Sequence, residues 1–233
     1  MGTGLEMKSE LRSLIGAALS LALLSACGTD PAAGDGKTSA NSLKAYFGSL
    51  LGKGRAANPA ETNPAQTRAL LAQLGQPITY AKVDKLGYFS FMSPYGNNGP
   101  VQTWASSAYE TFSLKGGILV ATRGLGPDLM TAVVPSLGQV RSGSGSFHRV
   151  YFTLDGADQP QRADFECSFK SSGSETVTVL DRGYPSQRVT ESCSNAETQF
   201  ENMYWFDSSG NLRQSLQHVS EQAASVQLQR AID

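Results

Sequence analysis

Ala163-Asp164-Phe165-Glu166-Cys167-Ser168-Phe169-Lys170 alternates without a break. Ala163, Phe165, Cys167 and Phe169 fall on one side, and Asp164, Glu166, Ser168 and Lys170 on the other. A period of two places these sets on opposite faces of a strand. One dry face and one wet face predict an antiparallel sheet with one side on a core. Working outward, the same reading predicts strands at 78–83, 86–92, 101–106, 109–114, 118–123 and 147–154, and again at 175–180, 187–193, 200–206 and 212–219. Turn-forming clusters separate them: Asn97-Asn98-Gly99-Pro100, Lys115-Gly116-Gly117, Ser171-Ser172-Gly173, Arg182-Gly183 and Asp207-Ser208-Ser209-Gly210. So many short strands in near succession predict a mainly β protein, a curled antiparallel sheet or barrel-like β domain. No internal repeat is evident.

One or two short N-terminal helices precede the strands. Residues 43–51 have the composition of one. The other is marked by Asn63 as cap, Pro64 at the first helical position, good helix formers over 65–74 and Gly75 as stop, with Leu70, Leu71 and Leu74 on its buried face. The stretch 220–233 reads as polar and is assigned to no element. With 233 residues, 40% of them hydrophobic, the chain is long enough for one core of ordinary size. Residues 42–233 are therefore read as a single β-rich domain. A net charge of −1 leaves no electrostatic footprint for nucleic acid and no polybasic membrane patch.

The first 26 residues read as a signal peptide. Lys8 and Arg12 precede an apolar run from Leu14 to Leu24, too short for a bilayer core, which needs about 20 residues. Met7 is an alternative start that makes a tidier charged region. Leu24-Ser25-Ala26-Cys27 then resembles the lipobox of bacterial lipoproteins, in which small residues let the peptidase reach the bond before the cysteine. That resemblance implies acylation of Cys27, a membrane anchor of several acyl chains, and export across the inner membrane. The inner-membrane retention signal is Asp at the next position, so Gly28 favours the outer membrane. Residues 27–41 are rich in Gly, Ala, Ser, Thr and Asp and read as a lipidated flexible tether, spanning on the order of 20 Å.

Cys167 and Cys193 remain. In an oxidising compartment they are expected to form a disulfide, closing a loop of about 26 residues and contributing roughly 3–4 kcal/mol. The predicted strands create a tension. In a simple meander the two cysteines would lie two strands apart, roughly 9.5 Å, too far to bridge. The disulfide therefore predicts that the 187–193 segment bends out of the sheet or pairs elsewhere.

The search for chemistry returns little. The two histidines show no zinc-type pairing; His148 shares strand parity with Val150, Phe152 and Leu154 and reads as a satisfied or edge histidine, and His218, near a strand end, has no carboxylate at informative spacing. Gly143-Ser144-Gly145-Ser146 reads as a flexible turn rather than a nucleophile elbow. Gly124-Leu125-Gly126-Pro127 lacks the lysine of a phosphate cradle. Asp155 and Asp158 fall in a turn, where Asp is common for backbone reasons. No catalytic residue, metal ligand or cofactor-binding residue is assigned. Tyr88, Phe89, Phe91, Trp104, Tyr109, Phe112, Tyr204, Trp205 and Phe206 could build a sugar-stacking or lipid-binding face, although at any one position sheet core is the cheaper explanation.

Three stretches resemble one family: 70–77 (Leu-Leu-Ala-Gln-Leu-Gly-Gln-Pro), 117–130 (through Val120-Ala121-Thr122-Arg123-Gly124-Leu125-Gly126-Pro127-Asp128-Leu129-Met130), and Glu191-Ser192-Cys193 with 200–207 (Phe-Glu-Asn-Met-Tyr-Trp-Phe-Asp). Together they resemble the YjbF/GfcB lipoproteins of exopolysaccharide and group 4 capsule export. The resemblance implies an all-β outer-membrane lipoprotein, with its domain facing the periplasm, that assists polysaccharide secretion without being an enzyme. Its implied partners are other export components, with the polysaccharide second. Two alternatives stand beside it. A lipid or lipoprotein carrier of the curled-sheet type would need a sizeable dry cavity. A glycan-processing enzyme would need two carboxylates facing each other roughly 5–10 Å apart. Lipidation gives the first test: metabolic labelling with palmitate is expected to mark the wild-type protein and to be lost in Cys27→Ala, and label persisting on the variant would refute acylation there.

Overall fold

Asn63 opens the part of the chain that the computed structural model describes, residues 63–233. The signal peptide, the lipobox Leu24-Ser25-Ala26-Cys27, the tether 27–41 and the helix expected at 43–51 lie outside the described residues. The Asn63 side chain accepts from the N–H groups of Ala65 (3.0 Å) and Gln66 (3.2 Å), and Pro64 starts helix α1, Pro64–Ala72. The buried face of α1 is Thr67, Arg68 and Leu71, whereas Leu70 and Leu74 are half-buried. Arg68 is held inside by its partners: it donates to the carbonyls of Ala231 (2.7 Å) and Val179 (2.6 Å) and pairs with Asp181.

Twelve strands follow: β1 Ile78–Val83, β2 Tyr88–Asn98, β3 Val101–Ala105, β4 Thr111–Lys115, β5 Ile118–Arg123, β6 Thr131–Val133, β7 Ser146–Leu154, β8 Pro160–Val179, β9 Arg182–Ser194, β10 Gln199–Asp207, β11 Leu212–Ser220 and β12 Ala224–Ile232. A short helix α2, Leu137–Ser142, lies between β6 and β7. All belong to one antiparallel sheet, ordered β5-β4-β3-β2-β1-β12-β11-β10-β9-β8-β7-β6. Each strand pairs with its neighbour in the chain except at the β5–β6 junction, and β12 pairs back onto β1. The result is a nearly closed, barrel-like sheet, in keeping with the mainly β class read from the alternation.

Four expectations need correction. Ser171-Ser172-Gly173 is not a turn but a bulge inside β8, where the register to β9 shifts between Ser171 and Ser174. Serines with a glycine mark a turn and a bulge equally well. The reversal comes at Leu180-Asp181, so Arg182 and Gly183 already belong to β9. The strands expected at 163–170 and 175–180 are thus one, β8 and β9 are adjacent, and Cys167 stands directly opposite Cys193. The disulfide therefore needs no departure of 187–193 from the sheet. Finally, the unassigned tail is β12. Val226 and Leu228 enter the core between the half-exposed Gln227 and Gln229, an alternation hidden by the polar composition.

The bulge also redirects the β8–β9 hairpin. Phe165 and Cys167 face the main core, while Val177 and Val179 beyond the bulge pack with Phe91, Trp205, Ala231 and the α1 residue Leu71. These contacts curl the hairpin tip onto the outer face of β10–β12, where Glu175 accepts from Trp205 Nε1 (2.7 Å).

The sheet rolls inward at its other end. On β5, Leu119 packs with Met92, Phe112 and Val226, while Ile118 packs with Phe169, Val189 and Tyr204. An edge strand buried on both faces leaves N–H and C=O groups without water. Gln217 of β11 supplies the partners: its Oε1 accepts from the Leu119 N–H (2.8 Å) and its Nε2 donates to the Gly117 carbonyl (2.9 Å). Gly117 has φ 91°, a left-handed conformation that favours glycine, and a Cβ there would lie 2.8 Å from Leu212 Cδ2. The connection from β5 to β6 folds on Asp128, whose carboxylate accepts from Thr122 Oγ1 (2.7 Å) and Gly124 N (2.9 Å). Gln217→Leu keeps the volume and strands both backbone groups. It is expected to lower stability by about 2–4 kcal/mol, read as a lower urea midpoint at unchanged slope.

Candidate functional site

Tyr204 and Asn202 of β10 face the barrel interior because they alternate with the outward Met203 and Trp205. Glu191 of β9 falls in phase with Val189 and Cys193, and Arg149 of β7 in phase with Tyr151. The four side chains are at most 1% exposed and form one network. Arg149 donates from Nε (2.7 Å) and Nη2 (2.8 Å) to the two Glu191 oxygens. Glu191 Oε2 also accepts from Asn202 Nδ2 (2.8 Å) and the Tyr204 hydroxyl (2.9 Å), and that hydroxyl accepts from Arg149 (3.0 Å). Burial pushes the Tyr204 phenol well above its usual range, so it stays a donor. Removing one member of such a buried pair costs about 3–5 kcal/mol, because the other charge is left in the dry interior.

The Cys167–Cys193 disulfide lies beside this network. Among the described residues Cys167, Cys193 and Glu191 form the one cluster with metal-like spacing, and the two sulfurs are bonded to each other. His218 stacks on Phe200 at 4.3 Å and on Tyr151 at 6.1 Å. Burial, with the nearby Arg149 cation, pushes its pKa down to about 4. His148 instead sits on the outer surface between Glu166 (2.7 Å) and Asp164 (2.9 Å). Their hydrogen bonds raise its pKa, while Arg162 and His148 together hold Asp164 down to about 2. The Asp155 carboxylate accepts from the N–H groups of Ala157 and Gln159, as its turn position implied.

The interior is not filled at the end of the barrel where β2 meets β3, β4 meets β5 and β10 meets β11. A cavity of about 450 Å³ opens there. Thr79, Gln102, Trp104, Leu114, Ser215 and Leu228 form much of its wall, and Leu137 of α2 stands at its edge. Gln102 and Trp104 are two apart on β3, so both point inward with Leu114 and Phe112, their partners on β4. No Asp, Glu, His or Cys lines it.

The sequence-predicted residues are thus dispersed. Of the aromatics singled out, Phe91, Phe112, Tyr204, Trp205 and Phe206 are buried in the sheet, Tyr88 and Phe89 are half-buried, and Tyr109 is exposed. Trp104 is half-buried and lines the cavity. The buried Arg149, Glu191, Asn202 and Gln217 went unread, although Glu191 and Asn202 stand in phase with apolar neighbours, the one signal that marks an inward polar residue.

Residues 40–230 match the family described as group 4 capsule polysaccharide lipoprotein GfcB, YjbF. The chain belongs to the YjbF family. The stretch 120–130, the family resemblance's most specific part, is the one that builds the β5–β6 connection around Asp128. No curated protein matches the sequence significantly. The crystal structure of the hypothetical lipoprotein YmcC from Escherichia coli (K12) superposes with a TM-score of 0.65 at 18% identity, over 82% of this chain and 95% of that one. At that identity the likeness speaks for the fold. No helix of the described residues is long and apolar enough to cross a membrane.

The half-buried His218 imidazole sets a pH response. The folded pKa of His218 lies at about 4 against an ordinary 6.5. Between those values the unfolded chain binds a proton that the native state does not, so stability falls as pH drops through this window, by up to about 3 kcal/mol. His148 has the opposite sign, with stability present below its ordinary value and lost as pH rises through its raised one. His218→Phe keeps a ring against Phe200. Chemical unfolding from pH 4 to 6.5 is expected to show a shallower loss of stability on acidification in the variant than in the wild type, and parallel profiles would refute the assignment.

Proposed function

We propose that this protein is a non-enzymatic accessory of exopolysaccharide or capsule secretion. In this reading it is held by lipid at Cys27 on the outer membrane, with its β domain in the periplasm. The family membership supports the setting. The composition of the cavity wall supports binding rather than turnover: amide, hydroxyl, indole and guanidinium groups line it with no carboxylate among them. A glycosidase needs two carboxyl groups across the scissile bond, one as acid and one as base or nucleophile. The buried Glu191 is bound at both oxygens by Arg149, and the surface Asp164 is held by Arg162. Protein partners in the export assembly come first and the glycan second.

Deleting the gene is expected to lower surface or secreted polysaccharide without accumulation of an unprocessed intermediate, and cross-linking is expected to join the lipoprotein to known export components. If the purified protein cleaves the organism's own polysaccharide, and substituting Asp164 and Glu166 abolishes cleavage, the enzyme reading replaces this one.

A further inference from the structure

The cavity at the barrel end is built from two kinds of surface. Leu114 and Leu228 give it an apolar floor continuous with the main core. Thr79, Gln102 and Trp104 add polar atoms. Among the described residues the Thr79 hydroxyl, the Gln102 amide and the Trp104 indole N–H have no hydrogen-bond partner, and none of them is a sealed, unsatisfied atom. They come from β1 and β3 and converge on one space. The Arg149–Glu191–Asn202–Tyr204 network satisfies its own polar groups, whereas the sealed Tyr88 hydroxyl, Ser93 hydroxyl and Arg188 Nε stay without a partner and have no room for a ligand. Free polar side chains converging on a cavity are therefore groups kept for a ligand or for water.

Their chemistry narrows the ligand. The indole presents a flat apolar face with one donor at its edge. The amide both donates and accepts, as does the hydroxyl, so together they match groups that do the same. The two cations that line it are both paired: Arg213 is bound to Asp207 and Asp233 (2.6 Å each), and Arg230 to Asp233 (2.8 Å). The volume, about 450 Å³, lies in the range of roughly 300–1,000 Å³ of small-ligand pockets. An acyl chain would strand the amide, hydroxyl and indole N–H in hydrocarbon. A pyranose offers apolar C–H faces for the ring and hydroxyls for the polar groups.

We infer that this cavity is a subsite for a short stretch of neutral sugar chain, stacked on Trp104 and hydrogen-bonded by Gln102 and Thr79. The inference rests on the polysaccharide-export reading for the origin of the sugar. Because Arg213 and Arg230 already hold carboxylates of this chain, no unpaired cation is left for a uronate or phosphate group.

The test uses the full-length protein in detergent and the two indole N–H resonances, assigned by Trp104→Phe. The probes are short fragments of the organism's own polysaccharide, neutral disaccharides of glucose, galactose and N-acetylglucosamine, a glucuronate-containing disaccharide, and palmitate. A neutral saccharide is expected to shift the Trp104 signal saturably and to leave that of Trp205, on the opposite face of the sheet, in place. Followed on backbone amides near the cavity, Trp104→Ala is expected to weaken binding about tenfold, Gln102→Leu several-fold, and Trp104→Phe less than Trp104→Ala. Thermal unfolding of each variant at the wild-type temperature secures the fold. A response to none of the saccharides, to the uronate alone or to palmitate alone overturns the inference, as does equal binding by Trp104→Ala. If sugar binds at Trp104 but deletion leaves export unchanged, the proposed function fails and the subsite stands. If deletion lowers export while no saccharide binds, the subsite alone fails.

Discussion

Rolling the sheet back on itself takes the edge strand β5 out of water, and the backbone groups along that edge then need partners. Gln217 provides them from across the interior, one amide acting in place of a neighbouring strand for Leu119 and Gly117. The arrangement requires a left-handed backbone at 117, which glycine adopts without strain, and it requires Ser215 to take the remaining donor of the same amide (2.9 Å). Without this substitution of side chain for strand, Ile118 and Leu119 could not both be buried, and two of the three hydrophobic clusters would lose β5.

The rolled sheet divides its interior into a dry region and a wet one. Around Arg149 of β7, Glu191 of β9 and Tyr204 of β10 the interior is dry, and a charge survives there only because every acceptor of Glu191 is used. His218, half-buried against Phe200 and Tyr151, borders this region, and its desolvation keeps the imidazole neutral to well below its ordinary pKa. At the end lined by β1, β3 and β12 the side chains stop short of filling the space, and polar groups face a cavity instead of one another. The same fold thus supplies a rigid, fully bonded wall and, beside it, a site with free hydrogen-bonding capacity. Rigidity on one side fixes the positions of free groups on the other.

The long β8–β9 hairpin ties the two faces together. Its base carries the disulfide into the core, and its tip, turned by the bulge at 171–174, covers Trp205 on the outside and meets Arg68 of α1. The bulge converts one ladder into two surfaces: inward before it, outward after it. This is also why a meander of three short strands was the wrong expectation, since the bulge imitates a turn in composition while keeping the chain in the sheet.

The sequence by itself determined what depends on near neighbours. Strands β1 and β5 begin and end where alternation and glycines put them, Asn63 and Pro64 start α1, and the face on which Phe165, Cys167 and Phe169 lie follows from a period of two. The motif at 120–130 and the family it marks were legible for the same reason, as contiguous residues. Partner choice was not legible. Arg149 meets Glu191 across 42 residues and Leu119 meets Gln217 across 98. A periodic pattern says which face a side chain takes but not what stands opposite. Trp104 shows the limit most clearly: its inward phase was readable, but the space in front of it exists only because β11, β12 and β1 close around a volume that their side chains do not fill. That is a property of long-range packing, so only the tertiary structure decided it.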